Sequence, residues 1–317
     1  MRRADPTGRT QQAVWYDRYG PPSVLQIGEL PLPEPGPGQV RLRLQASALA
    51  QIDVKMRSGL LQKDFALQLP KIPGRDGVGV VEAVGPGVRD WKPGDAACVL
   101  ASPMAAGTCA SHVTCDAARL VPRPPGLPLS QAAALLQPGV SAWSAVQAAA
   151  LQAGMRALVH GGSGAVGALV LQHARALGVH VTATCHHENR EHTLAQGAHS
   201  VLAYDREGFN HLSGLDVVFD FVGGSTHARS YHLLRRGGGI VYLMARPFED
   251  RGAEHGVRVL RARVSDAPEA LQAVAHLASE GVYRPLVAQE MPLPLAVAAH
   301  AALEAGEVRR GRVVFTH

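Results

Sequence analysis

No apolar run in this 317-residue chain approaches the roughly 20 residues needed to span a bilayer, so a membrane-spanning helix is not expected. The opening MRRADPTGRTQQ has arginines but no apolar stretch behind them, which argues against a secretory leader. Cysteine is scarce. Cys98, Cys109, Cys115 and Cys185 fall at irregular spacings, which speaks against a disulfide framework and for a reduced, cytoplasmic chain. Lysine is scarce too, with only Lys55, Lys63, Lys71 and Lys92 among 31 cations. No basic block forms. Arg309, Arg310 and Arg312 are the densest cluster, and the net charge of +5 reads as scattered surface charge rather than a nucleic-acid face. Such a field still favours a phosphorylated cofactor or an anionic substrate. Aromatic residues make up 5% of the chain, leaving few rings to sandwich a planar ligand.

Glycine and proline are plentiful, at 34 and 22, and with 46% hydrophobic residues they fit an α/β protein rich in turns. The length favours two domains. Up to about Gly126 the chain is strand-like and heavily punctuated. Val40-Arg41-Leu42-Arg43-Leu44-Gln45-Ala46 alternates apolar and polar, and Gly77-Val78-Gly79-Val80-Val81 begins a short apolar strand closed by Pro86-Gly87. Short strands at this spacing predict a small β-barrel or a curled sheet. Residues 122–128, with four prolines and a glycine, predict a linker. Beyond it the period changes. Residues 130–136 and 141–151 read as helices, Ser130 being a possible N-cap. Strand and helix then alternate from Arg156 to about Val264, the pattern of a doubly wound parallel sheet. A helix over 266–281 and a strand ending Arg312-Val313-Val314-Phe315 complete the chain.

The densest signal is Arg156 to Gly167, RALVHGGSGAVG. An apolar strand enters a glycine turn and a helix follows, so Gly162, Gly164 and Gly167 form G-x-G-x-x-G at a strand-to-helix junction. In a dinucleotide site the first glycine makes the turn and the second admits the pyrophosphate. The third allows close strand–helix packing, with the phosphates at the helix N-terminus.

Other segments join this one in resembling a single family. Ala48-Leu49-Ala50-Gln51-Ile52-Asp53-Val54-Lys55-Met56-Arg57-Ser58-Gly59 resembles A-L-N-P-x-D-x-K-x-R-x-G. Pro73-Gly74-Arg75-Asp76-Gly77-Val78-Gly79-Val80-Val81 resembles P-G-x-[DE]-x-x-G-x-V. Gln137 to Trp143 resembles x-x-x-G-x-T-A-W, and His160 to Gly167 resembles H-G-[AG]-x-G-x-V-G. The chain is thereby similar to medium-chain dehydrogenase/reductases, and most to their zinc-independent quinone oxidoreductase (zeta-crystallin-like) branch. The resemblance implies a GroES-like β-barrel formed by 1–126 and 265–317, interrupted by a Rossmann cofactor-binding domain over 127–264. It also implies a homo-oligomer, a dimer or tetramer built on the edge strand of the cofactor domain, for which Gly239 to Met244 is the candidate, burial of that segment within one subunit being the equal alternative.

Zinc-dependent members of that superfamily bind catalytic metal through a Cys, a His and a third Cys or Asp. The matching positions here are Ala50, Arg75 and Gln137 or Pro138, none offering the thiolate or imidazole that Zn²⁺ takes. Cys109-x-x-His112-x-x-Cys115 has ligand-like spacing, but a strand would turn both thiols away from the imidazole. Cys185-His186-His187, with His192 beyond, reads as a cofactor rim or solvated loop. No metal is expected.

The resemblance also places the cofactor. Ser163, Ala165 and Val166 would meet the pyrophosphate, and Ser141 stands where the family has a nicotinamide-side Thr. The second Rossmann strand ends Ala183-Thr184-Cys185-His186 without the carboxylate that binds an NAD ribose, and His186 and Arg190 are donors for a 2′-phosphate. Thr184 lies on this strand end. Tyr204 matches a family Tyr at the adenosine end, while Phe219, Val222 and Met244 lie at later strand ends, where the ligand crevice opens. A surface role for Arg190, a strand-edge role for Tyr204 and core roles for the last three compete with these. NADPH is the expected cofactor.

Without a metal, hydride transfer to an electron-poor acceptor needs less help than hydride removal from an alcohol. A quinone or α,β-unsaturated carbonyl delocalises the developing charge itself, and the few aromatic residues favour a small enone. The family Asn and Tyr near the reacting centre are replaced by Ala50 and Leu61, leaving Gln51, Lys63 and Asp53 as catalytic candidates, Asp53 equally as a structural acceptor. An enoyl-thioester reductase and a non-catalytic NADPH-binding regulatory or RNA-binding protein are the alternatives.

Overall fold

The computed structural model describes residues 8–243 and 248–317. Strands β1 (Thr10–Trp15) and β2 (Gln26–Pro31) form an antiparallel hairpin. Strand β3 (Gln39–Leu49) runs into helix α1 (Gln51–Arg57), and β4 (Asp76–Val84), β5 (Ala96–Leu100), β6 (His112–Asp116) and β7 (Leu120–Pro122) follow. β3 pairs antiparallel with both β4 and β6, its eleven residues alternating inward apolar side chains with outward polar ones for much of their length.

After β7 come α2 (Leu129–Ala133), α3 (Leu136–Ala149), β8 (Arg156–His160), α4 (Ala165–Ala176), β9 (His180–Cys185), α5 (Arg190–Ala195) and β10 (Ser200–Ala203). The second half has β11 (Leu215–Asp220), α6 (Ser225–Ser230), β12 (Leu234–Tyr242), α7 (Gly252–His255) and β13 (Arg258–Arg261). These six strands form one parallel sheet in the order β10-β9-β8-β11-β12-β13. The order reverses between β8 and β11, and a crevice opens beyond the carboxyl ends of the strands at such a switch point. Helix α8 (Pro268–Ser279), β14 (Val287–Pro292), α9 (Ala296–Glu304) and β15 (Arg312–Thr316) then return the chain to the barrel, where β15 pairs with β3. The fold is a GroES-like barrel joined to a Rossmann sheet.

The predicted helices shift. α2 starts after Pro128, not at Ser130, and α3 begins five residues before Ser141, taking in Gln137-Pro138-Gly139. Proline is tolerated in a first turn because its missing N–H would have no intrahelical partner there. The Gln137 amide donates to Asp76 Oδ1 at 2.8 Å, so a carboxylate from β4 satisfies a donor at the start of α3. A second correction concerns the expected oligomer edge: β12 is bonded on both sides, and the outer strand is β13.

The helices pack their apolar faces on this sheet. Leu169, Val170 and Leu171 of α4 are fully buried, each contributing about 1.5–3 kcal/mol. Asp76 and Arg312 form a buried ion pair between β4 and β15, and the Arg312 guanidinium also donates to the carbonyls of Leu49 and Ala48 at 3.1 and 2.9 Å.

Candidate functional site

β8 ends in the glycine turn, and its three glycines face three different surroundings. A Cβ on Gly162 would lie 2.8 Å from Ala183 Cβ, and one on Gly167 only 2.2 Å from the Gly161 carbonyl oxygen, so these two hold strand and helix together. A Cβ on Gly164 would meet Gly161 O at 3.3 Å and otherwise open space. That open side lies at the N-terminus of α4, a twelve-residue helix whose first turn carries the amides of Ala165 and Val166. Bare backbone, free space and the positive end of a helix dipole together fit a pyrophosphate.

Ser163 completes the turn from an unexpected direction. Its hydroxyl donates to Arg309 O at 3.3 Å and its carbonyl accepts from Gly311 N at 3.3 Å, so the segment before β15 lies along the turn. Asn189 Nδ2 also donates to Arg309 O, at 3.2 Å, and Arg309 pairs with Glu188 at 3.0 Å. Arg310 has no ion pair or hydrogen bond among the described residues, and its charge pushes the nearby His192 imidazole down after burial has done so. Sequence reasoning missed this basic segment because Arg309 lies 146 residues beyond Ser163 of the turn. The signal was present as the densest arginine cluster in the chain.

The rim beyond β9 gathers several expected residues. His186 lies with its ring centroid 4.5 Å from that of His187 and 6.1 Å from that of Tyr204, which is 61% exposed. Asp205 reaches the same rim from β10: its Oδ2 is 2.6 Å from His187 Nδ1 and 3.6 Å from His186 Nε2. A carboxylate therefore does reach the rim, supplied by the neighbouring strand's exit rather than by the end of β9. Arg190 pairs with Glu207 at 2.7 Å, both half exposed, and Arg206 flanks Asp205 at 3.5 Å. Thr184 is buried, with Oγ1 3.0 Å from His160 Nδ1. The His160 Nε2 lies 3.1 Å from Ser230 Oγ, whose own proton goes to Thr226 O at 2.7 Å, so Nε2 carries the imidazole proton. Burial pulls the His160 imidazole down to about 4.

On the other half of the crevice, Val222 is half exposed and stands over Gly161. Phe219 is fully buried among the sheet's apolar core, which makes it a packing residue here. Ser141 is buried in α3 and donates to Gln137 O at 3.0 Å. Met244 lies outside the described residues.

The catalytic candidates do not converge. Gln51 and Lys63 are exposed, Gln51 reaching Leu303 O at 3.4 Å. Asp53 is buried and accepts from the Ala50 amide at 2.8 Å and the Gly74 amide at 3.1 Å. Burial pushes its carboxyl up, against those two amides and Arg312. This geometry fits the structural-acceptor reading of Asp53, which holds α1 against the Pro73-Gly74 turn. Lys71, not Lys63, shares a small cavity with Asp53, Tyr16 and Arg75. Its ammonium donates to Ala105 O, and burial pulls it down to about 8.

The positions matching zinc ligands do not fit a zinc ion. Ala50 offers no donor atom, and Arg75 donates to Ala101 O at 3.1 Å and pairs with Asp266 at 3.2 Å. Cys109 and Cys115 lie in separate apolar clusters, Cys109 outside β6 altogether. Among the described residues His186, His187 and Glu188 stand close enough to offer ligands to one ion, at the solvent edge.

Residues 36–127 match the alcohol dehydrogenase GroES-like domain family and residues 196–315 the zinc-binding dehydrogenase family. A probable quinone oxidoreductase of Schizosaccharomyces pombe is 32% identical over 236 residues, covering 72% of this chain and 70% of its own. The mitochondrial NAD(P)H oxidoreductase RTN4IP1 of Mus musculus is 29% identical over 308 residues, covering 83% and 78%. A mycobacterial protein solved in complex with NADPH superposes with a TM-score of 0.85 at 27% identity, covering 97% of this chain and all of its own. The chain belongs to the medium-chain dehydrogenase/reductase superfamily, an oxidoreductase whose relatives there include quinone oxidoreductases.

Proposed function

We propose that the protein is an NADPH-dependent reductase that transfers hydride to a quinone or α,β-unsaturated carbonyl without zinc. The observation that carries this reading is the combination of a dinucleotide turn open at Gly164 with Ala50, Arg75 and Gln137 or Pro138 at the metal-ligand positions. NADPH, when bound, supplies the hydride; the chain binds, orients and excludes water. Gly162, Ser163, Gly164, Ala165, Val166 and Gly167 would hold the pyrophosphate, His186, Arg190 and Tyr204 the adenosine end, and Ser141 and Val222 the nicotinamide side. Arg190, Arg206 and Arg309 now pair with exposed carboxylates, and such pairs are worth about 0–1 kcal/mol, so a 2′-phosphate can recruit them. Arg75 and Arg119 share the single carboxylate of Asp266, and this basic pair favours an acceptor borne on a phosphate-containing carrier, such as an enoyl thioester, as the second reading.

We further assign residues 1–126 and 265–317 to a catalytic domain and 127–264 to a cofactor domain, in a cytoplasmic homo-oligomer. Among the described residues no helix is long and apolar enough to cross a membrane. The reading is tested by following NADPH and NADH oxidation in parallel against quinones, enones and enoyl thioesters with a chelator present. Turnover that prefers NADPH and survives chelation is expected. Loss of turnover on chelation, or cofactor binding with no turnover on any acceptor, would refute it.

A further inference from the structure

The carboxyl ends of β8 and β11 hold a buried polar assembly centred on α6. Asp220 and His227 have side chains wholly withdrawn from solvent, and His227 Nδ1 lies 2.7 Å from Asp220 Oδ2. Facing a carboxylate, Nδ1 carries a proton. The other oxygen of Asp220 accepts from two successive amides, Val222 at 2.9 Å and Gly223 at 2.8 Å. Gly223 and Gly224, at φ of 78° and 62°, turn the chain back so that both amides can point at one oxygen. Asp220 thereby fixes the loop that carries Val222 over the glycine turn.

The opposite side of His227 reaches the segment that follows β12. Its Nε2 lies 3.2 Å from the Tyr231 hydroxyl, which accepts from Arg251 N at 3.2 Å and lies 3.3 Å from Glu249 O. Phe248 lies against the imidazole with centroids 3.9 Å apart and the ring planes tilted by 32°. Ser230, one turn along, receives His160 from the end of β8. One imidazole therefore ties the loop after β11 to the chain after β12. Replacing such a buried pair by apolar side chains of equal volume is often neutral for stability. What it adds is direction, because it aims the second Asp220 oxygen at the 222–223 amides.

In a doubly wound sheet each half takes one mononucleotide of a dinucleotide. Here the rim with His186 and Tyr204 belongs to β9 and β10, and the loops tied by His227 belong to β11 and β12. We propose that His227 is a positioning residue for the nicotinamide half of the cofactor, holding both walls of that half-crevice through Asp220 and Tyr231. The inference rests on the NADPH reading above.

The test measures binding, not turnover. Dissociation constants for NADPH and for 2′,5′-ADP, which has only the adenosine half, are compared in wild type, His227→Leu, His227→Asn and Tyr231→Phe, with the melting temperature of each. His227→Leu is expected to weaken NADPH tenfold or more and 2′,5′-ADP less than twofold. His227→Asn, which keeps a donor toward Asp220, should recover part of the loss. Tyr231→Phe leaves the Asp220–His227 pair whole and should give the same selective pattern at smaller size, even where His227→Leu folds poorly. Equal weakening of both ligands, or NADPH binding unchanged in His227→Leu and Tyr231→Phe, would overturn the inference. Wild-type protein that binds neither ligand would instead overturn the cofactor reading, and this inference with it.

Discussion

His300 is the side chain whose replacement most directly tests how the barrel is held. It lies on α9, wholly buried, and neither ring nitrogen has a hydrogen-bond partner among the described residues. Burial, with the adjacent Arg57 charge adding to it, pulls the imidazole down to about 3. Two costs follow. The unsatisfied nitrogens cost the desolvation of a polar group, about 1–3 kcal/mol at any pH. The second cost depends on pH. The folded-state pKa is depressed below an unfolded value near 6.5, so above 6.5 both states are neutral and nothing is lost. Below it only the unfolded chain takes a proton, and stability falls progressively until the folded pKa near 3; at pH 5 the loss is about 2 kcal/mol. His300→Leu removes both costs with little change in volume. The variant should unfold at higher denaturant concentration than wild type at pH 8, and its advantage should grow by about 2 kcal/mol at pH 5. Urea titrations followed by circular dichroism at the two pH values measure this. A variant less stable than wild type at both, or an advantage that does not widen on acidification, would refute the reasoning.

Gly164→Ala should melt like wild type yet bind NADPH at least tenfold more weakly, because its methyl enters the open side of the turn; unchanged affinity would place the phosphates elsewhere. Gly167→Ala drives a methyl to 2.2 Å from the Gly161 oxygen and should instead lower the melting temperature. Arg312→Met strands the buried Asp76 carboxylate and should cost about 3–5 kcal/mol by denaturant unfolding, and a loss below about 1 kcal/mol would show that Asp76 is not held as described.

What was legible in the sequence was local. The strand-turn-helix around Gly162, Gly164 and Gly167, the alternation of β3 and the period change after residue 128 depend on neighbours a few residues away, and the structure has them. What was not legible depends on distant partners. The start of α3 is set by Asp76, 61 residues earlier, so a pattern that treats Pro138-Gly139 as a break begins the helix too late. Asp53 fits a catalytic motif and a structural acceptor alike until its amide partners are seen. Lys63 follows the motif in sequence and is the candidate there, and only the fold shows that Lys71 is the lysine buried beside Asp53. Asp205 reaches the β9 rim from β10, and residues 309–311 reach the glycine turn from the end of the chain. No spacing rule reports such contacts.

The central claim, hydride transfer to an electron-poor carbon, is tested most directly by following deuterium from NADPH labelled at nicotinamide C4. The two C4 diastereomers are incubated separately with a small enone and a chelator, and the product is examined by mass spectrometry and NMR. The account predicts deuterium at the β-carbon of the saturated product from one diastereomer and none from the other. An unlabelled product from both, or NADPH consumed with no reduced enone, would contradict it.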